Sequence, residues 1–356
     1  MSGVLNQRAC VVGGGPTGIA MAKLLVEKNV PVDLVEGHNL GGQLAVGYDW
    51  QRLNTPCAYF SLPGISFDGL GYIHVRRAAE TLASAVVSDE RITLVRASAV
   101  RVTSGTSELY VCFRNGARRT YRNVILAIGR PEMRRGFRLA PGQVALDPYR
   151  DARFIAESET RCVVVGSGAT AVDCAVELVS QGKRVDLVVR HPLHWFPRVR
   201  PSLLGGALVK HAGWSLLAPV IGCGSALIKR ANAPWIPSRF GPFFDLSCRG
   251  GPIIINDRLG RVLSSGMIDL FWSEGYELPG SVPVFNCTGY RSGGDAVEVL
   301  FSSYSGLVIR LGRGFSRGWL PHCGAACTAA YDLIERATSV GIPPSGSEEF
   351  DFSLPS

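Results

Sequence analysis

Val11-Val12-Gly13-Gly14-Gly15-Pro16-Thr17-Gly18 has the residue types and spacing to hold a pyrophosphate. Gly13 permits a tight turn at the end of a strand. Gly15 lacks a Cβ, so a phosphate can approach the backbone, and Gly18 lets the following helix pack close to the strand. That helix, expected from about Thr17 to Asn29, aims its free N–H groups and positive dipole end at the phosphates, with Pro16 and Thr17 in its first turn. A glycine-rich turn alone is a weak signal and also occurs as a purely structural turn. Here a strand-like run, Ala9 to Val12, precedes it, and a second strand, Val32 to Val35, follows the helix. The second strand ends at Glu36, 23 residues after Gly13, where an acid takes the ribose hydroxyls.

The same pattern recurs about 150 residues later. Cys162 to Val165 reads as a strand, and Gly166-Ser167-Gly168-Ala169-Thr170-Ala171 is GxGxxA. A helix is expected from about Ala169 to Gln181, broken by Gly182, and a strand over Val185 to Val189. This strand ends in a base, Arg190, with His191 beside it. An acid hydrogen-bonds a free 2′-hydroxyl, whereas an arginine accommodates a 2′-phosphate. The first site therefore suits the adenosine of FAD and the second suits NADPH.

Other elements must position the rest of such a site. Gly42 and Gln43, just beyond Glu36, let a loop lie along the dinucleotide, and His38 reads as a solvated loop residue. The stretches Trp50 to Pro56 and Phe60 to Gly64 are loop-rich, aromatic and polar, a mixture that walls a cofactor ring. Within them Asn54 is either a hydrogen-bonding partner of a flavin or its adduct, or a turn-forming residue before Thr55-Pro56. Tyr72 to Val86 has helical periodicity. Strands are expected at Ile92 to Val95, Ala99 to Thr103, Leu109 to Phe113 and Thr120 to Leu126, with a hairpin turn at Asn115-Gly116. The apolar run into Ala127, Ile128 and Gly129 ends in small residues, where backbone would meet cofactor. Val282 to Asn286 with Cys287, Thr288 and Gly289 echoes it. A last strand, Leu307 to Leu311, ends at Gly312, and a helix follows over about Gly324 to Thr338, its N-terminus suited to the pyrimidine edge of a flavin.

These elements predict an α/β fold of two Rossmann-like dinucleotide-binding domains, one for FAD and one for NADPH, the second inserted in the first. The expected layout is an FAD-binding first part over 1–150 and an NADPH-binding domain over 151–284, with an apolar insertion near 200–245. The FAD-binding second part covers 285–340, and a flexible tail 341–356. Arg134-Arg135 and Pro141-Gly142 fall in the linker.

At 356 residues the chain can hold two full cores. Hydrophobic content of 46% against 19% charge excludes a disordered chain. The net charge is +8, yet the basic residues are scattered and overwhelmingly arginine, which points to some anion binding and not to nucleic acid. The start of the sequence lacks a basic-then-apolar pattern, so no signal peptide is expected. Ten cysteines without framework spacing suit free thiols in a reducing cytoplasm. Leu203 to Ile228 is apolar but interrupted by glycines, Lys210 and His211, so it reads as a buried or substrate-covering insertion and not as a membrane span; peripheral membrane contact stays open. The reading assigns no metal and allows a homodimer.

The two glycine motifs, Glu36, the paired strand ends at Gly129 and Gly289, and the run Val188 to Arg198 together resemble class B flavin-dependent monooxygenases, the small YUCCA-type branch most of all. The resemblance covers about Arg8 to Arg336 and extends to the apolar insertion. It implies bound FAD, reduction by NADPH, and molecular oxygen trapped as a flavin hydroperoxide that transfers one atom to a small organic, biosynthetic substrate. One stretch departs from the pattern. Before the second glycine motif the family carries F-x-G-x-x-x-H-x-x-x-Y/F/W; here Gly142 and an aromatic survive, Tyr149 standing one residue before the motif's place, but Leu146 stands at the histidine position. Two other classes share the two-domain plan. One is a flavin oxidase or dehydrogenase. The other is a thioredoxin-reductase-like disulfide reductase, whose chemistry needs a redox cysteine pair, usually C-x-x-C. No C-x-x-C occurs, and Cys323 and Cys327 are four apart.

Overall fold

The computed structural model describes residues 8–54, 57, 62–69, 71–104, 108–129, 139, 143–149, 151–152, 155–156, 158–196, 233–245, 253–288, 297–303, 306–311, 327, 331–332 and 349–351. The chain forms two compact units, Met1–Pro131 with Ser292–Ser356, and Glu132–Arg291, so the second is inserted into the first.

The first unit begins with β1 (Ala9–Val12), α1 (Pro16–Glu27), β2 (Val32–Val35), α2 (Val75–Val87) and β3 (Ile92–Val95). Next come β4 (Ala99–Ser104), β5 (Leu109–Phe113), β6 (Arg118–Tyr121) and β7 (Asn123–Leu126). All four residues of β1 are buried, because both faces of its sheet are covered. Successive side chains point to opposite faces. Ala9 and Val11 join the core under α1 and α2, whereas Cys10 and Val12 join the core shared with the antiparallel strands β4 to β6. Gly15 caps α1, and Pro16 presets φ in its first turn. The helix ends two residues short of the expected Asn29, because Asn29 takes φ 60° and leaves the right-handed region.

In the second unit, β8 (Ala145–Leu146), β9 (Arg161–Val165), α3 (Ala169–Ser180), β10 (Arg184–Val189), β11 (His194–Phe196), β12 (Ile253–Ile255), α4 (Leu259–Ser264), β13 (Ile268–Trp272) and β14 (Val284–Asn286) follow in order. The chain then returns to the first unit with β15 (Val297–Ser303), β16 (Gly306–Leu311) and β17 (Glu349–Asp351). The first sheet runs β15-β16-β7-β1-β2-β3, parallel except for the β15–β16 pair. The second runs β13-β10-β9-β14-β8 and is parallel throughout. In each, the strand leading into the glycine loop lies between its sequence neighbour and a strand from later in the chain, which is the topological switch point where such sheets bind ligands.

Three elements differ from the expectation. The run Thr120 to Leu126 is two strands in two sheets. Tyr121 is buried and donates to Asp33 at 2.7 Å, which draws β6 onto the back of the first sheet, whereas Val124 to Leu126 pair with β1. Leu146 lies in β8, opposite Phe285 of β14, within the second sheet. The tail is not wholly irregular: Glu349–Asp351 pairs antiparallel with β4.

Both units repeat one polar device. Val32-Asp33-Leu34-Val35 and Val185-Asp186-Leu187-Val188 each carry a buried aspartate inside the second strand. Arg8 donates to Asp33 at 3.0 Å, and Arg161 to Asp186 at 2.6 and 3.1 Å, each arginine 25 residues before its aspartate. Tyr121 and Tyr276 supply a phenol to the respective carboxylates. Burial raises both phenols above the ordinary tyrosine range, so they stay donors.

A further carboxylate fastens the turn between α2 and β3 to α1. Asp89 accepts from Arg91 Nε and Nη2 at 3.0 Å and from Lys23 Nζ at 2.9 Å. The Arg91 hydrogen bonds, most of all, hold its pKa well below the usual carboxylate range. This contribution to stability is present above the unfolded value of about 3.9 and is lost as pH falls below it. Asp89→Asn is therefore expected to lower the melting temperature at pH 7, and the gap between variant and parent to narrow by pH 3. A gap that does not change with pH would disprove the assignment.

Candidate functional site

The first glycine loop leaves β1 at its carboxyl end. Gly13 sits at φ 111°, its N–H bonded to Val35 O at 2.8 Å, and a Cβ there would overlap the carbonyl oxygen of Ala127. Ala127 is itself tied to Val12 O through its N–H at 2.7 Å, so turn and neighbouring strand end are locked together. A Cβ on Gly18 would overlap the carbonyl oxygen of Gly13, which is why α1 can start so close to the turn. Gly15 is different: a Cβ built on it meets no atom within 4 Å. First and third glycines serve the packing of the chain, and the second faces open space at a helix N-terminus without a side-chain cap. That is the cradle a pyrophosphate needs.

Glu36 follows β2 immediately. Its carboxylate accepts from Gly14 N at 2.6 Å and His38 N at 2.7 Å, which ties the acid to the glycine loop. The loop beyond it returns over the same turn. Gly41 N donates to Gly14 O at 2.8 Å, and a Cβ on Gly42 would come 3.1 Å from Gly15 Cα. Pro16 is buried, Thr17 half-buried and Gln43 exposed. The structure thus gathers Gly13, Gly15, Pro16, Thr17, Gly18, Glu36, Gly42 and Ala127 at one end of the first sheet, with Gly129 two residues past Ala127. Cys327 also reaches this end, its buried thiol donating to Thr17 O at 3.7 Å.

The second loop repeats the first. Gly166 sits at φ 148° with its N–H on Val188 O at 2.9 Å, and a Cβ there would overlap the carbonyl oxygen of Cys287. Gly168, the N-cap of α3, faces open space like Gly15. Ser167, Ala169 and Thr170 around it are half-buried. One equivalence needs correcting. Val12 pairs with Val35 in the first sheet, and Val165 pairs with Val188 in the second. Val189, fully buried, therefore occupies the position of Glu36, and Arg190 lies one residue further on. Arg190 and His191 are both exposed. An apolar side chain at the acid position leaves no carboxylate there to repel a 2′-phosphate.

Around the expected ring wall, Trp50 stacks on Tyr48 at 5.7 Å and Asn54 is exposed. Tyr59, Phe60, Gly289, Gly312, Cys323 and the insertion from Leu203 to Ile228 lie outside the described residues. Among the described residues, no helix is long and apolar enough to cross a membrane.

Two Rossmann-like units, the second inserted in the first and each with its own glycine loop at the switch point, define the two-dinucleotide-domain oxidoreductases. Residues 7–203 match the family of pyridine nucleotide-disulphide oxidoreductases, and the chain belongs to it. It is a flavin-dependent oxidoreductase. Among solved structures it is similar to a flavin monooxygenase from Stenotrophomonas maltophilia, at 16% identity and TM-score 0.60 over 94% of this chain and 98% of that one. It is also similar to a cyclohexanone monooxygenase in its open form, at 13% identity and TM-score 0.66 over 95% and 89%. A third is OTEMO in complex with FAD and NADP, at 14% identity and TM-score 0.64 over 96% and 86%. At these identities the likeness is one of fold.

Proposed function

We propose that this protein is an FAD- and NADPH-dependent monooxygenase of class B, close to the small YUCCA-type branch, that inserts one oxygen atom into a small organic substrate. The observation that carries the cofactor assignment is the pair of open second glycines, Gly15 and Gly168, with Glu36 beside the first loop and Val189-Arg190 beside the second. When bound, FAD would supply the redox chemistry between NADPH and molecular oxygen. The chain supplies position. The N-terminus of α1 and the bare backbone at Gly15 hold the pyrophosphate, and Glu36 takes the ribose hydroxyls while keeping the loop closed through Gly14. In the second unit, Gly168 and the N-terminus of α3 hold the pyrophosphate of NADPH, and Arg190, with His191, meets the 2′-phosphate. Asn54 is assigned to the wall of the flavin ring, where Trp50 helps exclude water. One turnover consumes NADPH, a proton and O₂, and yields NADP⁺, water and the oxygenated substrate.

Stoichiometry tests this reading. FAD-loaded protein is given NADPH in air with a panel of ketones, amines and thioethers, and hydrogen peroxide and product are counted. A compound that lowers peroxide yield and gains one atom from labelled O₂ is the expected result. Peroxide accounting for all the NADPH with every compound favours the oxidase or dehydrogenase. Turnover that demands a disulfide favours the reductase.

Arg190 makes a separate expectation. Charge-assisted hydrogen bonds contribute about 1.5–3 kcal/mol, so kcat/KM should favour NADPH over NADH by tenfold or more. Arg190→Ala should remove most of that preference with NADH turnover nearly unchanged. An unaltered preference ratio would show that another group reads the phosphate.

A further inference from the structure

The first sheet carries charged chemistry at the end opposite its glycine loop. A cavity of about 420 Å³ opens there, lined by Arg8, Asp33, Tyr110 and the run Arg118 to Tyr121. Three arginines line it, and two of them, Arg8 and Arg119, hold one carboxylate. Asp33 is satisfied from within: Arg8 Nη1 donates at 3.0 Å, Arg119 Nη1 at 3.1 Å and the Tyr121 hydroxyl at 2.7 Å. Arg118 has no carboxylate partner among the described residues and lies over the Tyr110 ring, 5.1 Å from its centre. A guanidinium has five N–H donors in a fixed fork, so each of the three arginines keeps donors beyond those named. The formal charge around the cavity is therefore two positive, and the exposed Thr120 also lines it. We infer that this cavity is a second anion site, distinct from both glycine loops, which takes a phosphate dianion, either inorganic phosphate or the phosphate of a small monoester. Bidentate arginine contacts suit a tetrahedral oxyanion, and the cavity is far larger than the roughly 30 Å³ that one water occupies. Arg8 precedes Gly13 by five residues, roughly 16 Å of strand, so no pyrophosphate lying over Gly15 reaches it.

The competing explanation is that Arg118 and Arg119 only guard β6, the edge of its sheet, against pairing with another chain. Titration separates the two. Protein carrying its FAD, with NADP⁺ in excess to fill the second loop, is titrated with inorganic phosphate and with glycerol phosphate at constant ionic strength. Hydrogen exchange is measured alongside calorimetry. The expected result is saturable binding with protection over residues 109–121, weakened at least tenfold in Arg118→Gln and less in Arg118→Lys. The tighter of the two ligands identifies the source of the phosphate. A response no larger than that of chloride, equal binding in Arg118→Gln, or protection confined to residues 13–18 and 166–171 would overturn the site.

Discussion

Replacing Gly15 with valine is expected to leave the first unit folded and empty it of FAD. A side chain there meets no atom within 4 Å, and the backbone sits at φ −74°, ψ 176°, extended geometry that any residue adopts. The folding cost is then limited to a poorer helix N-cap, about 1 kcal/mol. A pyrophosphate over this position would collide with the branched side chain. FAD affinity should fall at least a hundredfold, about 2.7 kcal/mol, as read by flavin absorbance of the purified protein and by titration of the apoprotein. Far-ultraviolet dichroism and the melting temperature of the apoprotein should change little. FAD retained at full affinity would mean that the dinucleotide does not cross the bare backbone at Gly15.

The opposite separation is expected at Gly18. A Cβ there would overlap the carbonyl oxygen of Gly13 and also come 3.2 Å from the Ala127 side chain. The obstacle is backbone, so no rotamer relieves it, and α1 must move away from the sheet. Overpacking of this kind costs about 3 kcal/mol or more, roughly 6–12 °C in melting temperature for a unit of this size. Gly18→Ala should therefore unfold early even without cofactor. The second unit supplies a control, since Ala171 ends its GxGxxA motif: there the methyl is already accommodated, and Ala171→Gly should cost only about 1 kcal/mol. A Gly18→Ala protein as stable as its parent would show that α1 has slack at its first turn.

The contrast between these glycines also marks what was legible in the sequence. Spacing alone assigned the turn, the cradle and the close approach to Gly13, Gly15 and Gly18, because each role follows from the absence of a Cβ. Short runs ending in valine, Ala9 to Val12 and Val32 to Val35, announced β1 and β2, and Asn115-Gly116 announced the hairpin between β5 and β6. The passage from β6 to β7 was not legible. Thr120 to Leu126 has one continuous strand-like composition, and only the attachment of Tyr121 to Asp33, 88 residues away, divides it. Periodicity carries no information about such a distant partner. The offset of Arg190 from the Glu36 position was hidden for a related reason, since a motif count ends at the strand and the register is fixed by pairing with β9. One signal was present and unread: the duplicated Val-Asp-Leu-Val, each with an arginine 25 residues upstream, marks the buried aspartates of both units.

The order β15-β16-β7-β1-β2-β3 has a consequence for how the chain is made. β7 leaves the ribosome long before β16, its neighbour in the sheet, because the whole inserted unit is translated between them. At about 5–20 residues per second, that interval lasts roughly ten to forty seconds. The second unit is complete in sequence and can close its parallel sheet during it, while the apolar edge Val124 to Leu126 waits without a partner. An unpaired edge of this kind recruits other strands, so the yield of soluble protein should depend on chaperone occupancy and on translation speed through the insert. Synonymous codon changes between residues 132 and 291 would then alter the yield of a protein whose finished structure they leave untouched.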